Sequence, residues 1–222
     1  GTLALMQEFF QQTFGVTNSP ALMKALLING ARSVGSLYDF EVQNTKNFQG
    51  WGVPRLNNSL PPGITNAFSH SGEASIQLFD QAPATALATG QRQTRLLTIN
   101  AAGTNVPLRV TLVWTDPPGN PVAGVKLVND LDLVVTNLAN GEVFFGNNIP
   151  ASSTFTIPWA SNSPPAMDSI NNVENVYLSP ALGANYSITV VGQRVNVNAV
   201  TAQTNNVVQD YALVIASGDG QI

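Results

Sequence analysis

Two aspartates stand two residues apart within residues 127–136, and this spacing is the first sign of chemistry in the chain. The alternation along the stretch predicts a β-strand whose leucines lie on one face and whose Asp130 and Asp132 lie together on the other. On a strand the two carboxylates lie roughly 6.6 Å apart along the chain. Like charges on one face of a sheet repel each other unless a cation or hydrogen-bond donors lie near them. The pattern therefore predicts that this acidic face meets a cation or a set of donors.

Calcium is the cation that the surrounding residues favour. It takes about six to eight hard oxygen ligands from carboxylates, amide carbonyls, backbone carbonyls and water. Acids and amides concentrate at the ends of three predicted strands of this charge-poor chain. The open alternative is that these side chains cap turns and accept hydrogen bonds from backbone amides. The spacing is not that of an EF-hand loop and does not fix the ligands. The candidate calcium ligands are Asp116, Asn129, Asp130, Asp132, Asn172 and Glu174.

Other kinds of active site find little support in the residues. Nucleophilic catalysis needs a Ser activated by a His that a carboxylate orients, and the chain has a single His, His70. Ser69 and Ser71 adjoin it, but adjacency alone makes neither its partner, and no Gly-x-Ser-x-Gly motif is present. The pattern favours a surface-loop His70. Glycosidase chemistry needs two carboxylates that face a sugar, and no aromatic platform accompanies Asp130 and Asp132 in the sequence.

Composition narrows the class of protein. The 222 residues, 44% hydrophobic, allow one large or two small globular domains. Only 10% of the residues are charged, which favours a secreted bacterial protein. The formal net charge of −4 argues against nucleic-acid or anionic-membrane partners. The lack of Cys excludes disulfides and thiolate sites, and one His excludes a multi-histidine zinc site. No apolar run reaches the roughly 18 residues of a transmembrane helix.

Two predicted helices open the chain. Apolar residues recur at helical spacing over residues 3–14, and Gly15 ends the first helix. Ser19 and Pro20 mark the start of the second, which continues over residues 21–29 and is apolar nearly all round. Such a helix must be buried, and two helices alone could not bury it, so we expect it to pack on a body of protein that is missing from this chain. Because Gly1 opens directly onto a helical pattern, we also expect the chain to be a fragment or a processed product.

From about Ser75 onward the hydrophobic period is two. Short predicted strands joined by Gly, Pro and Asn turns, with no helices between them, predict an antiparallel β-sandwich or jelly roll. A Pro-Pro-Gly segment at residues 61–63 indicates a boundary between residues 1–62 and residues 63–222. The candidate strands are residues 75–80, 94–100, 108–115, 127–136, 143–145, 173–178, 186–191 and 211–216.

Six stretches together carry a resemblance to a known family. They are SPALMKALLINGA at 19–31, GWGVPRL at 50–56, LVWTDP at 112–117, LVNDLDLVVT at 127–136, NNVENV at 171–176 and GANYSITV at 183–190. In this order they resemble the C-terminal part of subtilisin-like serine proteases, and more narrowly the alkaline bacterial subtilases with a C-terminal β-barrel or jelly-roll domain. The resemblance implies that residues 1–62 are the end of an α/β catalytic domain and that residues 63–222 are an accessory sandwich.

The resemblance also implies where the catalysis takes place. The family's nucleophilic Ser lies in a Gly-Thr-Ser motif, whereas Gly1 and Thr2 are followed here by Leu3. The catalytic Asp, His and Ser would all lie upstream of Gly1, so this chain alone should be inactive, and its partners would be the catalytic portion and protein substrates. Subtilases with this domain bind calcium, in agreement with the acidic residues. The implied function is to stabilise the catalytic domain of a secreted endopeptidase and to assist substrate binding.

A binding module of another class stays open. A non-catalytic jelly roll for a glycan or cell-wall polymer would need an aromatic platform, for which Trp114, Trp159 and Tyr177 are candidates. Trp114, however, continues the apolar face of a predicted strand, which favours the core. Trp51 fits best as a packing residue where the catalytic domain closes. A third reading is a structural pseudo-protease whose upstream motifs are mutated.

Overall fold

A computed structural model describes residues 1–32, 50–60, 69–70, 76–100, 103–150 and 153–217, of which residues 69–70 are described by backbone alone. The helices are α1 (Thr2–Phe14), α2 (Pro20–Gly30) and a single turn, α3 (Leu56–Ser59). As predicted, α1 ends at Gly15, which adopts a left-handed φ of 68°, and α2 starts with the Ser19 side chain accepting from Leu22 N. In these ranges no helix combines the length and apolar character needed to cross a membrane.

The strands form two antiparallel sheets, which confirms the predicted mostly-β sandwich. Sheet I has the order β1-β2-β9-β4-β7, and sheet II has the order β3-β8-β5-β6. The predicted strand positions recur with shifts of a few residues at their ends. The strands are β1 (Ser69–His70), β2 (Ile76–Phe79), β3 (Arg92–Thr98), β4 (Leu108–Val113), β5 (Asp130–Asn137), β6 (Val143–Phe145), β7 (Val173–Leu178), β8 (Asn185–Arg194) and β9 (Ala212–Ser217).

The start of β5 departs from the prediction, which began the strand at residue 127. Both oxygens of the Asp116 carboxylate are occupied here, because Oδ2 accepts from Val128 N at 2.8 Å and Oδ1 accepts from Asn129 N at 2.7 Å. Backbone N–H groups bound to a side chain do not take part in a strand ladder. The strand therefore begins at Asp130, after this carboxylate-bound turn.

Two hydrophobic layers hold the fold together. One lies between the sheets, where alternate residues of β5 and β8 meet those of β4, β7 and β9. The other lies on the outer face of sheet I, where α1 and α2 pack on β2, β4 and β9. Sheet I is thus covered on both faces, and every residue of β4, β7 and β9 is buried. The helix that the sequence predicted to be buried against further protein packs on sheet I of the same chain.

The division at residues 62/63 stays a prediction, since residues 61–63 lie outside the described ranges. The core residues were largely identifiable from the sequence, since Leu131, Leu133 and Val135 are fully buried. Of the predicted apolar positions of α2, Leu22, Ala25, Leu26 and Ile28 are buried, whereas Met23 and Leu27 are only partly buried. Leu3 is an exception. Its position continued the predicted apolar face of α1, but its side chain is 48% exposed and does not belong to the cluster that α1 and α2 form on sheet I.

Candidate functional site

Three carboxylates from two strands of different sheets lie near one another, and we call Asp130, Asp132 and Glu174 the acidic seam. Asp130 and Asp132 lie on β5 of sheet II, and Glu174 lies on the edge strand β7 of sheet I. They are 5%, 2% and 1% exposed. The sequence placed the two aspartates on one face but gave no sign that this face is buried. Burying several carboxylates together is costly unless each finds donors or a cation.

The seam is only partly satisfied by protein donors. Glu174 Oε2 accepts from Leu133 N at 2.6 Å, and Arg194 Nη2 lies 3.9 Å from Asp130 Oδ2. Gly146 lets the Glu174 carboxylate approach, since a Cβ at that position would collide with its oxygens. Asp130 Oδ1, Asp132 Oδ2 and Glu174 Oε1 are buried without a hydrogen-bond partner among the residues described. Each carboxylate therefore offers one oxygen that the rest of the described structure leaves unused.

Burial disfavours the ionised form of all three carboxyl groups of the seam. Burial raises the pKa of Asp132 to about 7, with further contributions from the charges of Asp130 and Asp168. Burial also raises the pKa of Glu174 well above its ordinary value, against the opposing hydrogen bond from Leu133 N. The pKa of Asp130 is raised by burial too, although Arg194 opposes the rise. The seam has two ways to lose its charge repulsion, which are proton uptake and cation binding.

A fourth acid, Asp168, lies close enough to raise the pKa values of the seam residues, and the sequence analysis missed it. It belongs to the long connection between β6 and β7, where no periodicity marks a residue as important. Its Oδ2 accepts from Asn147 Nδ2 at 2.6 Å and from Asn171 Nδ2 at 2.7 Å. Burial pushes the pKa of Asp168 up, but these and backbone hydrogen bonds outweigh it, so the pKa is lowered. Asp168 is thus a charged neighbour of the seam.

The remaining candidate calcium ligands have structural hydrogen bonds instead. Asp116 is occupied by the turn before β5. The Asn129 amide donates to Val197 O and Gln209 Oε1 and accepts from Asn196 N and Val197 N. Asn172 donates to Trp114 O and accepts from Lys24 Nζ. The structure therefore brings Asp130, Asp132 and Glu174 near one another. Asp116 binds backbone amides of a turn, as in the open alternative, whereas Asn129 and Asn172 join distant segments of the chain.

No closed metal-binding cluster is present as the side chains stand. Over the described ranges, no group of three or more Asp, Glu, His or Cys side chains is arranged to hold a metal ion. The donor chemistry nevertheless suits a hard cation, since every unpartnered atom of the seam is a carboxylate oxygen. An ion would need these oxygens to turn toward a common point. What the arrangement can do chemically is exchange protons or bind a cation.

A second notable feature is the joint between α2 and sheet I, where Arg109 of β4 binds the end of the helix. Its Nε donates to Asn29 O at 2.9 Å and its Nη2 donates to Ala31 O at 3.0 Å. In return, Asn29 Nδ2 donates to Arg109 O at 3.2 Å and to Thr111 Oγ1 at 3.0 Å. A guanidinium at the C-terminal carbonyls of a helix also complements the helix dipole. This buried polar network fixes α2 on the sheet.

The other end of α2 is fixed by an acid. Asp80, directly after β2, accepts from Ser19 N at 2.8 Å through Oδ2 and from the Ser19 hydroxyl through Oδ1. A carboxylate at a helix N-terminus and a guanidinium at its C-terminus both match the helix dipole. Neither Asp80 nor Arg109 was singled out by the sequence, because their partners are about 60 and 80 residues away along the chain.

Trp114, Trp159 and Tyr177 do not form the platform that a glycan module would need. Trp114 is 1% exposed and donates to Asn129 O, so its predicted place in the core is confirmed. Tyr177 is 4% exposed. Trp159 is half-buried against Phe145 of β6. Trp51 packs edge-to-face on Tyr177, with ring centroids 6.2 Å apart. His70 lies on the two-residue strand β1 and pairs with Ile76 of β2, so the predicted loop position is wrong. The side chains of Ser69, His70 and Ser71 lie outside what the structure describes.

Comparisons with known proteins point to a protease context. No protein-family model matches the chain. Three proteins of Dictyostelium discoideum are similar to it: the serine protease/ABC transporter B family proteins tagD (30% identical over 186 residues), tagB (28% over 203) and tagA (28% over 209). The matches cover 72%, 79% and 93% of this chain but 10% of each relative, so the chain spans about a tenth of the length of these curated relatives. The chain is therefore similar to one part of proteins that carry serine protease names, none of them bacterial.

Among solved structures, the Penaeus vannamei nodavirus P-domain matches at 11% identity with a TM-score of 0.23, over 64% of this chain and 94% of that one. A score this low carries no argument about the fold.

Proposed function

We propose that this chain is the C-terminal portion of a subtilisin-like serine endopeptidase and that it stabilises the catalytic domain. The observation that carries the proposal is the joint at α2. The helix that resembles the end of the catalytic domain is bound at its N-terminus by Asp80 and at its C-terminus by Arg109, and both come from the sandwich. The serine protease names of the three relatives support the same context.

The proposed division of labour follows from this joint. In the complete polypeptide, a Ser, His and Asp triad outside this chain would hydrolyse peptide bonds through an acyl-enzyme. The sandwich would stabilise the catalytic domain through α2. Unfolding of the catalytic domain would have to release α2 from the outer face of sheet I, where the helix is buried. The benefit would be resistance to unfolding rather than a faster chemical step.

The test separates stability from chemistry. In the complete polypeptide, Arg109→Met should shorten the half-life of casein hydrolysis on heating while leaving kcat at low temperature unchanged. Arg92→Met, at an exposed position of β3, is the matched control and should change neither quantity. The chain alone should hydrolyse no casein. Turnover by the chain alone that His70→Ala abolishes would overturn the proposal, as would an unchanged heat inactivation of the Arg109 variant.

We further propose that Ca²⁺ binds at the acidic seam. Asp130, Asp132 and Glu174 would hold it through the oxygens that lack partners, with Asp168 adding charge nearby. The ion would supply charge neutralisation and no chemical step. These side chains would have to rotate toward one point to bind the ion, since no group of three or more acidic side chains among the described residues is arranged to hold a metal.

Thermal unfolding at pH 8 tests the calcium proposal. Millimolar Ca²⁺ should raise the Tm of the chain relative to a chelator, and the Asp130→Asn/Asp132→Asn double variant should lose the difference. Glu8→Gln, an exposed carboxylate on α1, is the control and should keep the calcium response. Equal midpoints with Ca²⁺ and chelator in the unaltered chain would refute calcium binding at this site.

A further inference from the structure

A cavity of about 270 Å³ opens at one end of the sandwich, and we call it the hairpin pocket. Its walls come from the β5–β6 hairpin, from the connection before β7 and from the turn after β7. Its lining includes Asn137, Asn140, Glu142, Pro158, Pro180 and Tyr186.

The charge of the pocket is one-sided. Glu142 is the acid in its lining, and neither Lys nor Arg lines it. The carboxylate is exposed, and its Oε2 accepts from Asn140 Nδ2 at 2.8 Å. Within the part of the chain that the structure describes, Glu142 forms no ion pair. A pocket with one unopposed negative charge disfavours anionic ligands and favours a cationic one.

A second polar group offers a hydrogen-bond donor. Asn137 Oδ1 accepts from Ala139 N at 3.0 Å, whereas its Nδ2 donates to no residue that the structure describes. The Asn137 amide lies against Gly183, where a Cβ would come within 2.8 Å of Oδ1. A glycine is thus needed for this amide to keep its place. The pocket therefore presents a carboxylate for a cation and an amide N–H for a carbonyl oxygen.

The turn after β7 makes a firm wall. Ala181 adopts a left-handed φ of 72°, which is unfavourable for a residue with a Cβ. The backbone is held there because Ala181 N and Leu182 N both donate to Thr104 O, at 3.0 and 2.9 Å. A strained conformation fixed by two hydrogen bonds keeps the wall in one position. A ligand would meet a preformed cavity.

We propose that the hairpin pocket binds the side chain of a Lys or Arg residue in an extended peptide. The aliphatic stem would lie along the exposed rings of Pro158 and Pro180. The cationic group would reach Glu142, and a peptide carbonyl would accept from Asn137 Nδ2. A sugar fits less well, since the aromatic rings of the lining, Phe144 and Tyr186, are 7% and 2% exposed and offer no stacking face. The choice of a peptide rests on the proposed function, in which the parent protein acts on proteins.

The experiment titrates the isotope-labelled 222-residue chain with N-acetyl-arginine amide and follows the side-chain amide of Asn137 and the backbone amide of Gly183 by NMR. Saturable shifts are expected. Glu142→Gln should weaken binding by about three- to five-fold, the effect of one exposed ion pair. Glu8→Gln should bind like the unaltered chain. Ser179→Trp, which places a ring at an exposed point of the lining, should abolish the shifts.

Other probes decide the chemistry. Binding of N-acetyl-norleucine amide as tight as that of the arginine probe would overturn the proposal, because charge would then be irrelevant. Binding of methyl α-glucoside in place of the arginine probe would overturn it in favour of a glycan site, and the lack of any saturable shift would overturn it outright. These titrations need no protease activity, so the pocket can fail while the proposed function stands, and the reverse.

Discussion

The guanidinium carbon of Arg109 lies 3.6 Å from the centroid of the Tyr177 ring, so that a cation on β4 is stacked on its neighbour on β7. The Tyr177 hydroxyl donates to Asn175 Oδ1, which also accepts from Thr111 Oγ1. Stacking and hydrogen bonds together fix the plane in which Arg109 meets the helix carbonyls. The pair therefore orients the group that binds α2 to sheet I.

Replacing Arg109 by Met should lower the free energy of unfolding by roughly 2–3 kcal/mol, since buried carbonyls of α2 lose a charged donor. Urea unfolding of the whole chain measures the change. Arg92→Met should stay within about 0.5 kcal/mol of the unaltered chain, because it lies at an exposed position. Equal losses for the two variants would contradict a specific role for Arg109.

Asp80→Ala should destabilise the chain by roughly 1–2 kcal/mol, because Ser19 N loses its acceptor and the N-terminus of α2 loses a favourable charge. Asp80→Asn keeps an acceptor oxygen and should cost clearly less. The comparison is made by thermal or urea unfolding at neutral pH. If the two variants lose the same amount, the carboxylate's hydrogen bonds to Ser19 do not matter.

The acidic seam should make stability fall with rising pH in the absence of calcium. The pKa of Asp132 is about 7 in the fold and about 4 in an unfolded chain, so the folded state binds the proton more tightly. The stabilisation is complete below about pH 4 and is lost as pH rises toward 7, by roughly 2–4 kcal/mol in total. Asp132→Asn, a neutral mimic, should remove this part of the pH dependence.

Chelator-treated protein, unfolded in urea between pH 5 and pH 8, gives the measurement. The difference between the unaltered chain and Asp132→Asn isolates this carboxylate from the other titrating groups. At pH 8 the variant should be the more stable of the two, and added Ca²⁺ should narrow the gap. A difference that does not vary with pH would rule out the raised pKa.

Ala181→Gly should stabilise the chain by roughly 0.5–1 kcal/mol, since glycine adopts a left-handed φ without strain. This value already includes the opposing effect of the larger conformational entropy that glycine has in the unfolded chain. Ala139→Gly, in the exposed hairpin turn and without a left-handed φ, should give no such gain. Stabilisation by both variants alike would show that the φ of Ala181 is not the cause.

The sequence was informative wherever local periodicity decides structure. The alternation of Tyr186, Ile188 and Val190 predicted the inner face of β8, and all three are buried between the sheets. Gly15 and Ser19 predicted helix ends because their effects are local. The early predicted start of β5 failed because the carboxylate that binds Val128 N and Asn129 N comes from Asp116, more than ten residues away.

The candidate site was only half predictable. The shared face of Asp130 and Asp132 follows from the strand period. It does not show that Glu174 from the other sheet and Asp168 from an irregular connection lie close enough to interact with them. Such contacts leave no periodic trace. The same holds for the hairpin pocket, whose lining comes from three separate parts of the chain. Both carboxylate oxygens of Asp116 accept hydrogen bonds, whereas Asp132 Oδ2 has no hydrogen-bond partner among the described residues. This difference is visible only in three dimensions.

Both faces of sheet I are covered by other parts of the chain, and this determines which fragments of the protein should stay monomeric. A cut at the predicted 62/63 boundary would strip away α1 and α2 and bare an apolar outer surface that includes Leu78, Val113 and Val214. That surface would be large enough to drive self-association. Residues 63–222 expressed by themselves should therefore aggregate or dimerise through sheet I, whereas a piece that keeps residues 1–32 should stay monodisperse in light scattering.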